Sequence, residues 1–194
     1  MLKILNDKCD PTRGSRYSAA IDLRSSCSLV IEKNKTGLVK LGVSISQDDI
    51  LNSFILKIVS EKKISPTEKE KRVKELSEVF SREKEEEACP HLLVEQRAEV
   101  LRAYKTFMST HYLQLTPRSG VAKKGLIIPN GVGIIDMDYE NEIMLLLHNV
   151  SGKDFFIEEG DRVGQMLILE HKTELFNIVT EDQRKGGFGS TGER

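Results

Sequence analysis

Ile128-Pro-Asn130-Gly-Val-Gly133-Ile-Ile135-Asp136-Met-Asp138-Tyr139-Glu-Asn141-Glu142-Ile-Met144 is the stretch whose reading decides the fold. Asn130-Gly131 is a turn signal, since both residue types tolerate a left-handed backbone. Gly133–Asp136 is a short apolar run ending in an acid, and Tyr139-Glu-Asn141-Glu turns the chain again before the run Glu142–His148. Runs of this kind separated by turn signals read as a hairpin. Asp136 and Asp138 stand at i and i+2, so an extended backbone points both carboxylates the same way, while a bend separates them. A solvated turn explains one acid well; two acids and a tyrosine point to a site.

Outward from this hairpin, both flanks carry similar short runs: Met1–Leu5, Ala20–Leu23, Ser28–Glu32, Gly37–Ser44, Tyr112–Thr116, Phe155–Ile157, Arg162–Leu169 and Leu175–Ile178. Gly, Asn, Asp and Lys clusters separate them at close spacing, which predicts a sandwich, jelly roll or barrel rather than βαβ units. The middle differs in character. Between Glu61 and Glu99, 20 of 39 residues are charged. Ser65-Pro66-Thr67-Glu68 is a capping box with proline at the first helical position, followed by Val73, Leu76, Val79 and Phe80 on one face until Cys89-Pro90 stops the helix. A second helix spans about Pro90 to Met108, with Leu93, Val100, Leu101, Tyr104 and Met108 as its stripe, and a shorter one spans Gln47 to Glu61, capped by Ser46. The chain thus divides into residues 1–45 and 111–194, a β domain, and 46–110, a charged helical insertion. The charge run of the insertion reads most simply as a solvated face.

The chain has 194 residues and a formal charge of −1, which excludes a globally basic nucleic-acid binder. Three cysteines and four scattered histidines make neither a disulfide framework nor a metal-ligand spacing. No apolar stretch is long enough to cross a bilayer, and the N-terminus lacks a secretory signal. The expected location is cytoplasmic, or nuclear in a eukaryote.

Other segments also carry chemistry-bearing residues. Asp22, in Ser18-Ala-Ala-Ile-Asp22-Leu, sits inside a strand-like run, where a buried carboxylate needs a partner. Thr116-Pro-Arg118-Ser119-Gly120 combines a guanidinium, a hydroxyl and a glycine turn, which suit a phosphate, although an ordinary turn explains them too. Gly160-Asp-Arg162-Val-Gly-Gln165 leads a turn into a strand with polar residues that need partners. Arg184-Lys-Gly-Gly-Phe188-Gly189-Ser190-Thr-Gly looks like a closing arm, with a ring to stack on a base and backbone N–H groups to wrap phosphates.

In order and spacing, these segments resemble the motifs of the trimeric dUTPase family: Ala-Gly-Tyr-Asp-Leu, Pro-Arg-Ser-Gly, Asn-x-x-Gly-x-Ile-Asp-x-Asp-Tyr-x-Gly-Glu, Gly-Asp-Arg-Ile-Ala-Gln and Gly-Gly-Phe-Gly-Ser-Thr-Gly. The likeness covers the two β segments and not the insertion. It implies a mainly β, jelly-roll β-barrel with a helical insertion. It also implies a homotrimer with shared active sites that hydrolyses dUTP to dUMP and pyrophosphate with Mg²⁺, limiting uracil in DNA and supplying dUMP. Asp136 is then the general base activating the water that attacks the α-phosphorus. Asp22 reaches the magnesium through water, and Arg118, Ser119, Gly120 and Gln165 hold phosphate oxygens. Asn130, Gly133, Ile134, Ile135 and Met144 select uracil, Tyr139 packs under the sugar, Phe188 stacks on the base, and Arg184, Gly189 and Ser190 complete the arm.

Departures from the pattern carry expectations of their own. Ala20 stands for a family glycine, so a positive φ there implies strain. Asn141 replaces a turn glycine, Gly164 an alanine, and Gln183 the arm arginine, with Arg184 one place later. The related dCTP deaminases carry a glutamate ten residues after the third-motif aspartate; Leu146 stands there, which argues against deamination. The rival of another class is a non-catalytic regulator in which the insertion binds a protein partner.

Overall fold

The computed structural model of the chain describes residues 1–81 and 91–176, with 91–93 as backbone only. In chain order the strands are β1 (Leu2–Ile4), β2 (Thr12–Arg13), β3 (Ile21–Arg24), β4 (Leu29–Ile31), β5 (Thr36–Lys40) and β6 (Val43–Ile45). Helices α1 (Gln47–Glu61), α2 (Pro66–Ser81) and α3 (His91–Thr110) follow. Then come β7 (His111–Pro117), α4 (Ser119–Lys123), β8 (Leu126–Ile127), β9 (Gly133–Asp136), β10 (Met144–Asn149), β11 (Phe155–Ile157) and β12 (Arg162–Glu170). Contacts divide the chain into a helical unit, Met1–Lys3 with Ser46–Ser109, and a β unit, Ile4–Ile45 with Thr110–Arg194.

In the β unit one sheet runs β2-β3-β12-β7-β9, a second runs β5-β10-β8, and a third pairs β11 with β4. Alternation decides which residues form the core. Leu113 and Leu115 of β7 and Leu145 and Leu147 of β10 point inward while their neighbours do not. Asn149 ends β10 fully buried, yet it is satisfied. Its amide donates to the carbonyls of Ile31 (2.8 Å) and Lys153 (2.7 Å), and its oxygen accepts from the N–H and hydroxyl of Ser151.

The fold is mainly β, as expected, but among the described residues its sheets do not close into a barrel. The strands are short, and β9 has a ladder partner on one side, β7, so the five-stranded sheet ends there. The single run Gly37–Ser44 is two strands, because Gly42 at φ 62° turns the backbone out of the ladder. Thr173–Phe176 form a 3-10 turn where a strand at Leu175–Ile178 was expected; residues 177 and 178 lie outside the described residues. Ala20 does not take a positive φ: Asn34 alone does so among the described non-glycine residues, so the strain expected there is absent.

The helical unit follows its caps. The Ser46 hydroxyl accepts from the Asp49 N–H at 3.2 Å, and the Ser65 hydroxyl accepts from the Glu68 N–H at 3.2 Å. Its core is Ile55, Ile58, Val59, Leu76 and Val100, with Val73, Phe80 and Ala103 packed against it. Among the described residues, no helix is long and apolar enough to cross a membrane.

Candidate active site

β9 and β10 are consecutive strands that do not pair with each other, so the hairpin expected from Asn130 to Met144 is not formed: each strand finds its ladder partner in a different sheet. β9 joins β7, with Leu115 opposite Gly133 and Tyr112 opposite Asp136; β10 joins β5, with Met144 opposite Lys40. Where the two part, a pocket of about 190 Å³ opens. It is lined by Leu115, Ile128, Asn130, Gly133, Ile134, Ile135, Asp136, Tyr139, Met144, Leu145 and Leu146. Strand edges expose alternating N–H and C=O groups. A slot between two parted strands therefore offers main-chain donors and acceptors framed by apolar side chains.

Local sequence builds each wall. Gly131 takes φ 83° and donates its N–H to the Ile128 carbonyl at 3.2 Å, which turns the chain into β9. Gly133 packs tightly, because a Cβ there would stand 3.0 Å from the Leu115 Cβ and Leu115 would have to give by a few tenths of an ångström. At the far end the Tyr139 N–H donates to the Asp136 carbonyl at 3.1 Å, bending the backbone just after Asp136. The two acids are thereby separated: Asp136 lines the pocket and Asp138 is exposed. Met137, between them, is buried as an anchor. The Tyr139 hydroxyl donates to the Glu142 carbonyl at 3.4 Å. Burial, and then the charge of Glu142, push that phenol above its ordinary range, so it is a neutral hydroxyl at physiological pH.

A second cluster forms across β3, β12 and β7. Gln165 stands opposite Asp22 on one side and Thr116 on the other. The register slips by one residue between Arg162 and Gly164, a bulge. Arg162 Nη1 reaches Asp22 Oδ2 at 3.2 Å, and Arg118 Nε reaches Asp22 Oδ1 at 2.8 Å. Asp22 is only 9% exposed, and two guanidinium groups answer the burial cost of its charge. Arg118 caps α4, and its own N–H donates to Val163 at 3.0 Å. Ser119 and Gly120 open the first turn of α4, where backbone N–H groups have no intrahelical partner.

The structure thus gathers Asn130, Gly133, Ile134, Ile135, Asp136, Tyr139 and Met144 in the pocket, and Asp22, Arg118 and Gln165 in the cluster, beside Ser119 and Gly120. Arg184, Phe188, Gly189 and Ser190 lie outside the described residues. Sequence reasoning marked Arg162 as needing a partner but did not name Asp22, a contact that depends on the bulge, and it gave no role to the pocket walls Leu115, Ile128 and Leu145. The alternation of β7 and β10 was the signal for Leu115 and Leu145, since both face inward.

A magnesium ion suits hard oxygen donors and keeps several waters. Among the described residues no group of three acids, histidines or cysteines forms a metal cage. Asp22, a single carboxylate bridged by two arginines, suits an ion held through water rather than by direct ligation.

Comparison with known proteins identifies the family and the fold. A family model described as dUTPase matches residues 79–192. The deoxyuridine 5'-triphosphate nucleotidohydrolase of Rickettsia prowazekii (strain Madrid E) is 49% identical over 84 residues, covering 41% of this chain and 57% of that protein. The chain therefore matches little more than half the length of such curated relatives. Among solved structures, the dUTPase of Streptococcus mutans is similar with a TM-score of 0.51 at 17% identity, covering 88% of this chain and 95% of the other. A dUTPase mutant of phage phi11 of S. aureus, which coordinates a structural Mg(II) ion, has a TM-score of 0.51 at 17% identity over 98% of both chains. These two structures share the fold.

Proposed function

Because this chain belongs to the dUTPase family, we propose that it is a dUTP diphosphatase, hydrolysing dUTP to dUMP and pyrophosphate. The observation that carries the reading is the slot between β9 and β10, with Asp136 and Tyr139 in its wall. Uracil presents a carbonyl–NH–carbonyl edge, which the main chain of Ile134, Ile135 and Met144, with Asn130, is able to pair. Cytosine reverses part of that pattern and leaves buried polar groups unmatched, at about 1–3 kcal/mol each. The Tyr139 ring sets the floor under the sugar and excludes a ribose 2'-hydroxyl. Leu146 lines the same pocket and has no titratable group to shuttle a proton, which disfavours a deaminase. The non-catalytic reading is not favoured either, since the matched relatives bear the name of an enzyme.

Asp136 is the general base that orients and deprotonates the water attacking the α-phosphorus, a role that needs only a carboxylate acceptor. Arg118 gives its Nε donor to Asp22, so its Nη donors meet the phosphate oxygens, together with Ser119, Gly120 and Gln165. Asp22 would hold Mg²⁺ through water, and the ion when bound would neutralise phosphate charge. The arm residues Arg184, Phe188, Gly189 and Ser190 complete the proposed site, and the assembly is a homotrimer with shared sites. The helical unit exposes Leu56 and Val94 and is proposed as a docking surface for a protein partner.

Pyrophosphate release measured with magnesium on dUTP, dCTP, dTTP and UTP tests the reading. The parent is expected to turn over dUTP alone, and Asp136→Asn to lose roughly 10²–10⁴-fold. Equal rates on dTTP would overturn the selection argument, and an unimpaired Asp136→Asn would remove the proposed base.

A further inference from the structure

We propose that Glu142 is a positioning residue that staples the loop between β9 and β10 in the geometry that discriminates among nucleotides. The inference rests on the proposed dUTP hydrolysis and adds a residue that touches no substrate. Glu142 closes the loop between β9 and β10, between Tyr139 and Met144, two residues of the pocket wall. Its carboxylate points away from the pocket's lining, into the corner between β5 and β6. Oε1 accepts from the Gly42 N–H at 2.9 Å and from the Ser26 hydroxyl at 3.0 Å, and Oε2 lies 3.6 Å from Lys40 Nζ. The corner is itself rigid. Gly42 is held at φ 62°, where an added Cβ would stand 2.7 Å from the Cys9 Cβ and Sγ, and Ser26 donates its N–H to the Lys40 carbonyl at 2.8 Å. One residue on, Ile143 exchanges bonds with the same corner: its N–H donates to Val43 at 2.8 Å and its carbonyl accepts from Leu41 at 3.0 Å.

β9 lacks β10 as a ladder partner, so cross-strand bonds between them cannot hold the width of the slot. Glu142 supplies that constraint from one end. Its carboxylate fixes the backbone whose carbonyl receives the Tyr139 hydroxyl, and so sets the height of the Tyr139 ring against Met144. Charge-assisted bonds to a backbone N–H and a hydroxyl make a firm anchor. The Lys40 pair is longer and its ammonium is exposed, so it contributes little. Shape selection needs a support of this kind, because a wall left free to move admits the 2'-hydroxyl and the thymine methyl.

Kinetics of Glu142→Ala, Glu142→Gln and Ser26→Ala on dUTP and UTP, with amide hydrogen exchange of the same proteins, test the proposal. For Glu142→Ala the dUTP KM is expected to rise about tenfold with kcat changing little, and the dUTP-to-UTP ratio of kcat/KM to fall about tenfold. Glu142→Gln keeps an acceptor for Gly42 and Ser26 and is expected to restore the ratio to within about twofold, which loss of fold stability alone would not explain. Ser26→Ala removes one bond of the staple and is expected to lower the ratio about threefold, so the proposal stays testable where Glu142→Ala does not fold. An unchanged ratio in folded Glu142→Ala, or in Ser26→Ala where Glu142→Ala is lost, would overturn the proposal while leaving dUTP hydrolysis intact. A parent that turns over no dUTP would instead overturn the functional reading. Exchange then decides the staple without substrate: faster exchange of the Tyr139 and Ile143 amides in the variants supports it, and unchanged exchange sinks it.

Discussion

Gly42 joins the proposed site to the core through one backbone torsion. At φ 62° an L side chain is strained, and the site of a Cβ is already filled by Cys9, which is fully buried. Gly42→Ala is expected to cost about 3 kcal/mol, from backbone strain and overpacking together, read as a fall in the denaturation midpoint. A loss below about 0.5 kcal/mol would mean that the corner relaxes around the methyl. At this scale the sequence is legible where chemistry forces geometry. Asn130-Gly131 reads as a turn and is one, with Gly131 at φ 83°. It is illegible where a contact depends on register. Arg162 meets Asp22 because β12 bulges between Arg162 and Gly164, and no local composition announces that slip. At Ala20 the condition for strain, a positive φ, is not met, so alanine stands there at no backbone cost.

Elements read well when their signals are periodic and their ends are capped. α1 runs from Gln47 to Glu61 behind Ser46, the expected bounds, and Val73, Leu76 and Phe80 of α2 meet the core as their spacing implies. α3 is less legible because its buried face includes Gln96 and Ala103 beside Val100, and a search for large apolar residues passes over an amide and a methyl. Residues 82–90, with the expected Cys89-Pro90 stop, and the side chain of Leu93 lie outside the described residues. Short strands defeat periodicity altogether: β2 and β8 span two residues each and were not expected, nor was the five-residue α4. Leu76 is fully buried at the centre of the helical core. Leu76→Ala is expected to destabilise the helical unit by about 2–5 kcal/mol, while Ser65→Ala, losing a cap, costs about 1 kcal/mol. Thermal or denaturant unfolding followed by circular dichroism compares them, and equal costs would mean that the caps, not the core, hold these helices.

Across the whole molecule, we propose that the two halves of the site are completed between copies of the chain. Asp22 and Asp136 sit on strands three places apart in the five-stranded sheet, and their rows cross β7 at Thr116 and Tyr112, four residues apart. At ~4.8 Å per strand and ~3.4 Å per residue on a flat sheet, that register corresponds to roughly 20 Å between the two carboxylate-bearing positions. On this proposal a working site combines the pocket of one copy with the phosphate cluster of another, as a heterologous contact that closes into a ring allows. Apolar residues on the outer face of the β5-β10-β8 sheet, Leu38 at 38% and Ile127 at 42% exposure, are available for such packing. Complementation tests this directly. Asp136→Asn and Arg118→Ala, each nearly inactive alone, are unfolded together at equal amounts and refolded. If sites draw these residues from different copies, about a quarter of them pair an intact Asp136 with an intact Arg118, and turnover returns to about that fraction of the parent's. Sites built within single chains would regain none, since every chain carries one lesion, and activity no higher than that of the separate variants would confine the chemistry to one protomer.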